Sequence, residues 1–355
     1  MNVNDAARPI RVVVAEDSPT ARSLLRLVLT ADPRLAVVGE AADGHEAVAL
    51  TRALRPDVVT LDIHMPRLDG VQATRQIMAE APTPIVIVSD CAITDVHLAM
   101  EAVRAGALAV LPKPPALNAA EFEHACALVI ATVKAMSQVK VVRRWPDRRR
   151  PSFSPPLPRL MEGERPRVVA VAASTGGPIA LLRMLSELPA DFNVPILVVQ
   201  HIARGFVRGV ARWLDEQCRV RVEVAEHGGK LAAGKVYLAP DDHHLRVADT
   251  ATIELSRGAP VGGFLPSGTA LFESVARFFG ASALGVILTG MGEDGVDGLR
   301  ALRERGGRVI AQDAETSVVF GMPAAAIAAG IVDTVLPLPL IAPRLIQLVR
   351  RGVTS

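Results

Sequence analysis

Residues 12–22 read VVVAEDSPTAR, and this stretch decides the fold of the N-terminal part of the chain. Four small apolar residues run straight into two carboxylates, Glu16 and Asp17. Ser18-Pro19 follows, a pair suited to cap and open a helix. An apolar run without polar alternation fits a strand buried on both faces, and a helix after it completes a βα unit. Working outward, the same pattern repeats. Strands are expected at 11–15, 36–40, 58–61, 84–89 and 107–111, alternating with helical patterns at 18–30, 44–54, 70–80, 93–105 and 119–136. Such repeats imply a parallel sheet with helices on both faces.

The pattern breaks at residues 139–166. There RRWPDRRRPSFSPPLPRLMEGERP is rich in Pro and Arg and has no sustained period, as expected of a tether. Alternation resumes at RVVAVAAS, with further apolar runs PILVVQ, KVYLAP, ALGVILTG, RVIAQ and IVDTVLP. Helices are expected near 177–187, 207–217, 269–279, 294–304 and 338–350, and a β-rich insertion over 219–257. The expected organisation is therefore α/β with two domains, 1–138 and 167–355, joined by a linker at 139–166.

Composition narrows the function. Half of the 355 residues are hydrophobic, enough for two cores, and the net charge of +2 argues against nucleic acid as an obligate partner. Cys91, Cys126 and Cys218 form no CxxC pair and no even disulfide set, which fits a reducing compartment. The N-terminus has no apolar signal core, and no apolar run approaches the ~18 residues of a membrane span. A cytoplasmic protein without direct membrane insertion is expected.

Ligand chemistry in open parallel sheets gathers beyond the carboxyl ends of the strands. The first block places Glu16, Asp17, Asp62, Ser89 and Lys113 there. Three carboxylates at one mouth repel one another unless a cation joins them. A hard divalent ion such as Mg²⁺ suits both carboxylate and phosphate oxygens. Asp62 could then accept a phosphoryl group, with Lys113 supplying positive charge and Ser89 a hydroxyl. Any one of these acids alone reads as a cap or a turn former. The ordered set of strand ends carries the reading.

The stretches VVVAEDSPTAR, DVVTLDIHMPRLDG, PIVIVSD and AGALAVLPKP make residues 10–135 resemble the response-regulator receiver family. The resemblance implies a flavodoxin-like (βα)5 domain with Asp62 as phospho-acceptor. It implies Mg²⁺ held by Glu16, Asp17, Asp62 and the backbone carbonyl of His64, with Ser89 and Lys113 as switch residues. A cis Lys113–Pro114 bond and a histidine kinase as phosphodonor are also implied. The His64 side chain is expected to be an exposed loop residue. The usual switch aromatic is missing from Ala107-Leu108-Ala109-Val110.

In the second block the first strand runs into Ala173-Ser174-Thr175-Gly176-Gly177-Pro178 and a helix. A serine on a tight turn beside a helix N-terminus is placed as a nucleophile, and helix N–H groups favour developing negative charge. The next strand ends in His201, and a later one leads into Thr289-Gly290-Met291-Gly292-Glu293-Asp294-Gly295. Ser174 as nucleophile, His201 as general base and Asp294 as the group fixing the imidazole tautomer can meet above the sheet edge. Alternatives stay open at this point. STGG alone could cradle a phosphate, and it is not the GxSxG of α/β-hydrolases. His227, His243 and His244 compete with His201. The His243-His244 pair could suggest a metal, but no HxH, HExxH or Cys partner accompanies it.

The stretches VVAVAASTGGPIAL, PILVVQHIARGF, AEHGGKLAAGKVYLAPDDHHL, LPSGTALFESVA, GVILTGMGEDGVDGL and AQDAETSVVFGMPAAA are similar to the catalytic domain of the chemotaxis protein-glutamate methylesterases, the CheB family. The resemblance implies a doubly wound parallel-sheet domain with Ser174, His201 and Asp294 as the triad. Thr175 would help position His201, and the Met291 N–H would contribute to the oxyanion hole. It implies hydrolysis of glutamate 5-O-methyl esters on the cytoplasmic helices of methyl-accepting chemotaxis receptors through an acyl-enzyme. Deamidation of receptor glutamine would be a second activity, and ester hydrolysis would need no cofactor. Two departures stand out. Ile202-Ala203 follows His201 where the family has Met-Pro, and Pro266-Ser267-Gly268-Thr269 replaces Pro-Ser-Val-Asp. The second is expected to alter substrate contacts without touching the triad. A DNA-binding output lacks a helix-turn-helix tail, and a nucleotide-binding output lacks a Lys after the glycines. A monomer is expected.

Overall fold

In the computed structural model, which describes residues 8–89, 93–115, 122–139, 141 and 164–350, Val12, Val13, Val14 and Ala15 are almost entirely removed from solvent. That is the burial expected of a strand covered on both faces. The chain divides into two units, Met1–Arg150 and Pro151–Ser355.

The first unit runs β1 (Ile10–Ala15), α1 (Pro19–Thr30), β2 (Leu35–Ala41), α2 (Gly44–Leu54), β3 (Val58–Leu61), α3 (Gly70–Glu80), β4 (Ile85–Ser89), α4 (Ile93–Ala105), β5 (Ala109–Pro112) and α5 (Phe122–Ser137). Its strands are parallel in the order β2-β1-β3-β4-β5. β1 and β3 are neighbours, so the acids that follow them share one edge. Side-chain caps fix the helix starts. Asp43 accepts from the Glu46 N–H at 2.9 Å and Asp69 from the Gln72 N–H at 2.7 Å, each cap contributing about 1 kcal/mol.

The second unit runs β6 (Val168–Ala173), α6 (Gly177–Ser186), β7 (Ile196–Gln200), α7 (Val207–Gln217), β8 (Arg221–Val224), β9 (Lys235–Leu238), β10 (His244–Val247), β11 (Ile253–Ser256), α8 (Gly268–Phe279), β12 (Ala283–Ile287), α9 (Val296–Glu304), β13 (Arg308–Gln312), α10 (Met322–Ala328), β14 (Thr334–Leu336) and α11 (Leu338–Arg350). Seven parallel strands form one sheet in the order β14-β13-β12-β6-β7-β9-β8. From β6 the chain builds one side through β7 and the edge strand β8, fills the place between them with β9, then returns to build the other side from β12. The switch point lies between β6 and β12. α8 is buried through Leu271, Phe272, Val275, Ala276 and Phe279. Each of the larger of these side chains contributes roughly 1.5–3 kcal/mol.

Three expectations need correction or bounding. The segment 219–257 is not one insertion: β8 and β9 extend the main sheet, and only β10 and β11 form a separate antiparallel hairpin. β8 is an edge strand with an exposed residue, so its local pattern resembles that of a hairpin arm. Among the described residues the cis peptide bond is Leu265–Pro266, not Lys113–Pro114. The expected linker lies largely outside the described residues. None of the described helices is long and apolar enough to cross a membrane.

Candidate active site

An open parallel sheet binds ligands beyond the strand ends at its switch point, and Ser174 stands there, one residue past β6. Its N–H donates to the Thr289 carbonyl at 3.0 Å, and its own carbonyl accepts from the Gly177 N–H at 2.8 Å and from Gln200 Nε2 at 2.8 Å. These bonds close the turn that puts the serine at the N-terminus of α6. A Cβ on Gly290 would come within 2.6 Å of the Ser174 Cβ, so glycine is what lets the turn after β12 lie against the nucleophile.

The His201 N–H donates to the Ala173 carbonyl at 2.9 Å, continuing the β6–β7 ladder past the Ala173–Gln200 pair. Ser174 and His201 are therefore neighbouring positions on strands about 4.8 Å apart. The ring nitrogen Nε2 lies 2.9 Å from Asp294 Oδ2. Both ring nitrogens are buried and neither meets hydrogen-bond geometry with a described residue; Nε2 faces Asp294 at ion-pair distance, and Ser174 is not hydrogen-bonded to the ring. Such contacts commonly tighten only when substrate binds. The ring also stacks on Phe264, with centroids 4.4 Å apart and planes 7° from parallel.

Asp294 sits at the N-terminus of α8. It accepts from Ser267 Oγ at 2.7 Å, from the Gly268 N–H at 2.6 Å and from the Thr269 N–H at 3.2 Å. Thr269 Oγ1 accepts in turn from the Gly295 N–H at 2.9 Å. Burial pushes this carboxyl up, but the close approach and charge of His201 and the hydrogen bonds from Ser267 and Gly268 outweigh it and lower the pKa to about 2. The positive end of the helix dipole favours the same charge state.

The structure thus brings Ser174, His201 and Asp294 to one edge of the sheet. Thr175 contributes its carbonyl, which accepts from Thr289 Oγ1 at 2.9 Å, and no hydrogen bond joins it to His201 among the described residues. The Met291 side chain is exposed, and its N–H meets no acceptor among the described residues. The Pro266–Thr269 departure does touch the triad, because Ser267, Gly268 and Thr269 are the groups that hold Asp294. Sequence reading missed them, and it missed Phe264. The three competing histidines are occupied internally. His227 Nδ1 accepts from the Leu255 N–H at 3.1 Å, His243 lies between Asp241 and Arg257, and His244 lies between Ala259 and Ser267.

In the first unit Glu16, Asp17 and Asp62 each offer a carboxylate oxygen within 4.8 Å of the others. Lys113 Nζ reaches Asp62 Oδ2 at 2.9 Å and Glu16 Oε1 at 3.1 Å. Burial raises the Asp62 pKa against the opposing effects of Lys113 and of the Ile63 and His64 N–H groups. Burial and the charge of Asp62 raise that of Glu16. An all-oxygen set under this mutual strain fits a hard divalent cation. Ser89 Oγ is fully buried without a hydrogen-bond partner among the described residues. The His64 side chain is exposed.

A receiver-type (βα)5 unit joined in one chain to a parallel-sheet unit with Ser, His and Asp at its switch point places the chain in the class of phosphorylation-regulated hydrolases. The chain belongs to the CheB methylesterase family. Residues 169–345 match the family described as CheB methylesterase, and residues 12–121 match the response regulator receiver domain. It is 55% identical over 339 residues to protein-glutamate methylesterase/protein-glutamine glutaminase 4 of Myxococcus xanthus, covering 95% of this chain and 96% of that one. It is 54% identical to protein-glutamate methylesterase/protein-glutamine glutaminase 3 of Anaeromyxobacter dehalogenans, covering 96% and 100%. The crystal structure of the Thermotoga maritima CheB methylesterase catalytic domain matches at TM-score 0.51 and 38% identity, over 52% of this chain and 98% of that one.

Proposed function

We propose that this chain hydrolyses glutamate 5-O-methyl esters on methyl-accepting chemotaxis receptors, giving glutamate and methanol, under control of phosphorylation at Asp62. The approach of His201 Nε2 to Asp294 at 2.9 Å, beside Ser174, carries the reading. Ser174 Oγ attacks the ester carbonyl while Nδ1 of His201 takes its proton, and the Met291 N–H is the candidate donor to the oxyanion. His201 returns the proton to the departing methoxide. Water, deprotonated by the same nitrogen, then cleaves the acyl-enzyme to free the glutamate side chain. Asp294 stays charged throughout and stabilises the imidazolium. The same acyl chemistry, with ammonia leaving, gives deamidation of receptor glutamine. Thr175 acts through the backbone of the nucleophile turn.

In the receiver, Glu16, Asp17, Asp62 and the His64 carbonyl are the groups to hold Mg²⁺, which would neutralise phosphoryl oxygens. Asp62 is the nucleophile toward the phosphodonor, supplied by a histidine kinase, while Lys113 and Ser89 receive the phosphoryl oxygens. The proposed bounds are 1–138 for the receiver, 139–166 for the linker and 167–355 for the esterase. Receptor cytoplasmic helices as substrate place the enzyme, as a monomer, in the cytoplasm.

Mass spectrometry of receptor peptides before and after incubation tests the reading. Methylated glutamates should lose their methyl group, faster when a phosphodonor is present. Receptor glutamates that keep their methyl groups would overturn it.

A further inference from the structure

His244 is almost wholly buried, and both its ring nitrogens are engaged by backbone. Nε2 lies 3.0 Å from the Ala259 carbonyl, and Nδ1 lies 3.2 Å from the Ser267 N–H. A carbonyl only accepts and an amide N–H only donates, so the partners require the neutral Nε2–H tautomer. The imidazole thereby pins both ends of the loop 259–267.

That loop has little else to shape it. Residues 257–260, 262 and 263 are exposed, so packing does not dictate their path. Val261 and Phe264 exchange backbone hydrogen bonds at 3.1 and 3.0 Å across Gly262 and Gly263, whose φ values are 59° and 86°. Two glycines in the left-handed region give a tight reversal with Phe264 at its exit. His243 adds a second strap, because Arg257 Nε donates to its Nε2 at 2.9 Å while Nδ1 donates to the Asp241 carbonyl at 2.8 Å.

The loop supports the triad at two points: the Phe264 ring lies flat on His201, and the Ser267 hydroxyl bonds Asp294. We infer that His244 is a positioning residue of the hydrolase. By fixing the 259–267 loop it sets the plane of the base through Phe264 and the placement of the carboxylate through Ser267. The inference rests on the esterase reading above and adds to it a residue that touches neither the substrate nor the reacting atoms.

The test is steady-state methanol release from methylated receptor membranes by the full chain. His244→Leu removes both bonds. His244→Asn keeps an amide oxygen near Nδ1 to accept from Ser267. Phe264→Leu removes the stack. His244→Leu should lower kcat roughly ten- to hundredfold, the scale of a small misplacement of catalytic groups, with KM changed less than about twofold. His244→Asn should recover part of the loss. Combining His244→Leu with Phe264→Leu should cost less than the product of the single effects, since both act through one loop. Asp62 phosphorylation and thermal unfolding verify that the variants are folded. If His244→Leu fails to fold, His244→Asn with Phe264→Leu supplies the same cycle. Unchanged kcat in a folded variant, or multiplicative losses, overturns the inference. If the wild type itself releases no methanol, the esterase reading fails instead. The inference is then read from the rate at which a fluorophosphonate labels Ser174, which should fall in the same variants; an unchanged rate overturns it.

Discussion

His201 presents Nε2, not Nδ1, to Asp294 at 2.9 Å. In the proposed mechanism the nitrogen left for the Ser174 proton is therefore Nδ1, and Asp294 would fix that assignment. Asp294→Asn keeps the shape but can present its amide N–H to the ring, which favours the wrong tautomer. Turnover should drop about 10³–10⁴-fold, measured as methanol release at a temperature where circular dichroism shows the variant folded.

The same carboxylate predicts a pH dependence of stability. Its pKa of about 2 in the folded chain lies below the ordinary 3.8, so its stabilisation is fully present above about pH 4. That contribution, about 2 kcal/mol, is lost as the pH falls through 2. Denaturant unfolding of wild type and Asp294→Asn should show a stability gap that narrows from pH 5 toward pH 2. A constant gap would contradict the charge assignment.

Ser267→Ala removes the 2.7 Å hydrogen bond to Asp294 but leaves the Gly268 and Thr269 N–H groups in place. A hydrogen bond to a charged group contributes about 1.5–3 kcal/mol. kcat should fall roughly tenfold with KM nearly unchanged, and steady-state kinetics checks the split.

Gly290→Ala would drive a methyl group onto the Ser174 Cβ and the Met322 sulfur. The nucleophile must move, and activity should fall at least about tenfold. The measurement is methanol release alongside phosphorylation of Asp62, which should be unaffected.

Asp62→Asn should remove the response to a phosphodonor while leaving basal methanol release. A variant stimulated as strongly as the wild type would show that the acceptor lies elsewhere.

Much of this was legible in the sequence because it is local. α2 and α3 begin and end where their apolar period and the caps Asp43 and Asp69 place them, and the strand ends carrying Glu16, Asp62, Ser174 and His201 follow from burial on both faces. α10 was missed because MPAAAIA is too short and too uniformly small to show a helical period. The supports of the triad were missed for a different reason. Phe264 is 63 residues from His201, and Ser267 is 27 from Asp294. They meet only once α8 packs, so no local pattern marks them. The two glycines before Phe264 signalled a turn but not its target.

The most direct test of the triad is covalent. A fluorophosphonate incubated with the full chain and located by peptide mass spectrometry should mark Ser174, at a rate that collapses in His201→Ala and falls steeply in Asp294→Asn. A label on another residue, or an unchanged rate in the folded His201 variant, would contradict the account.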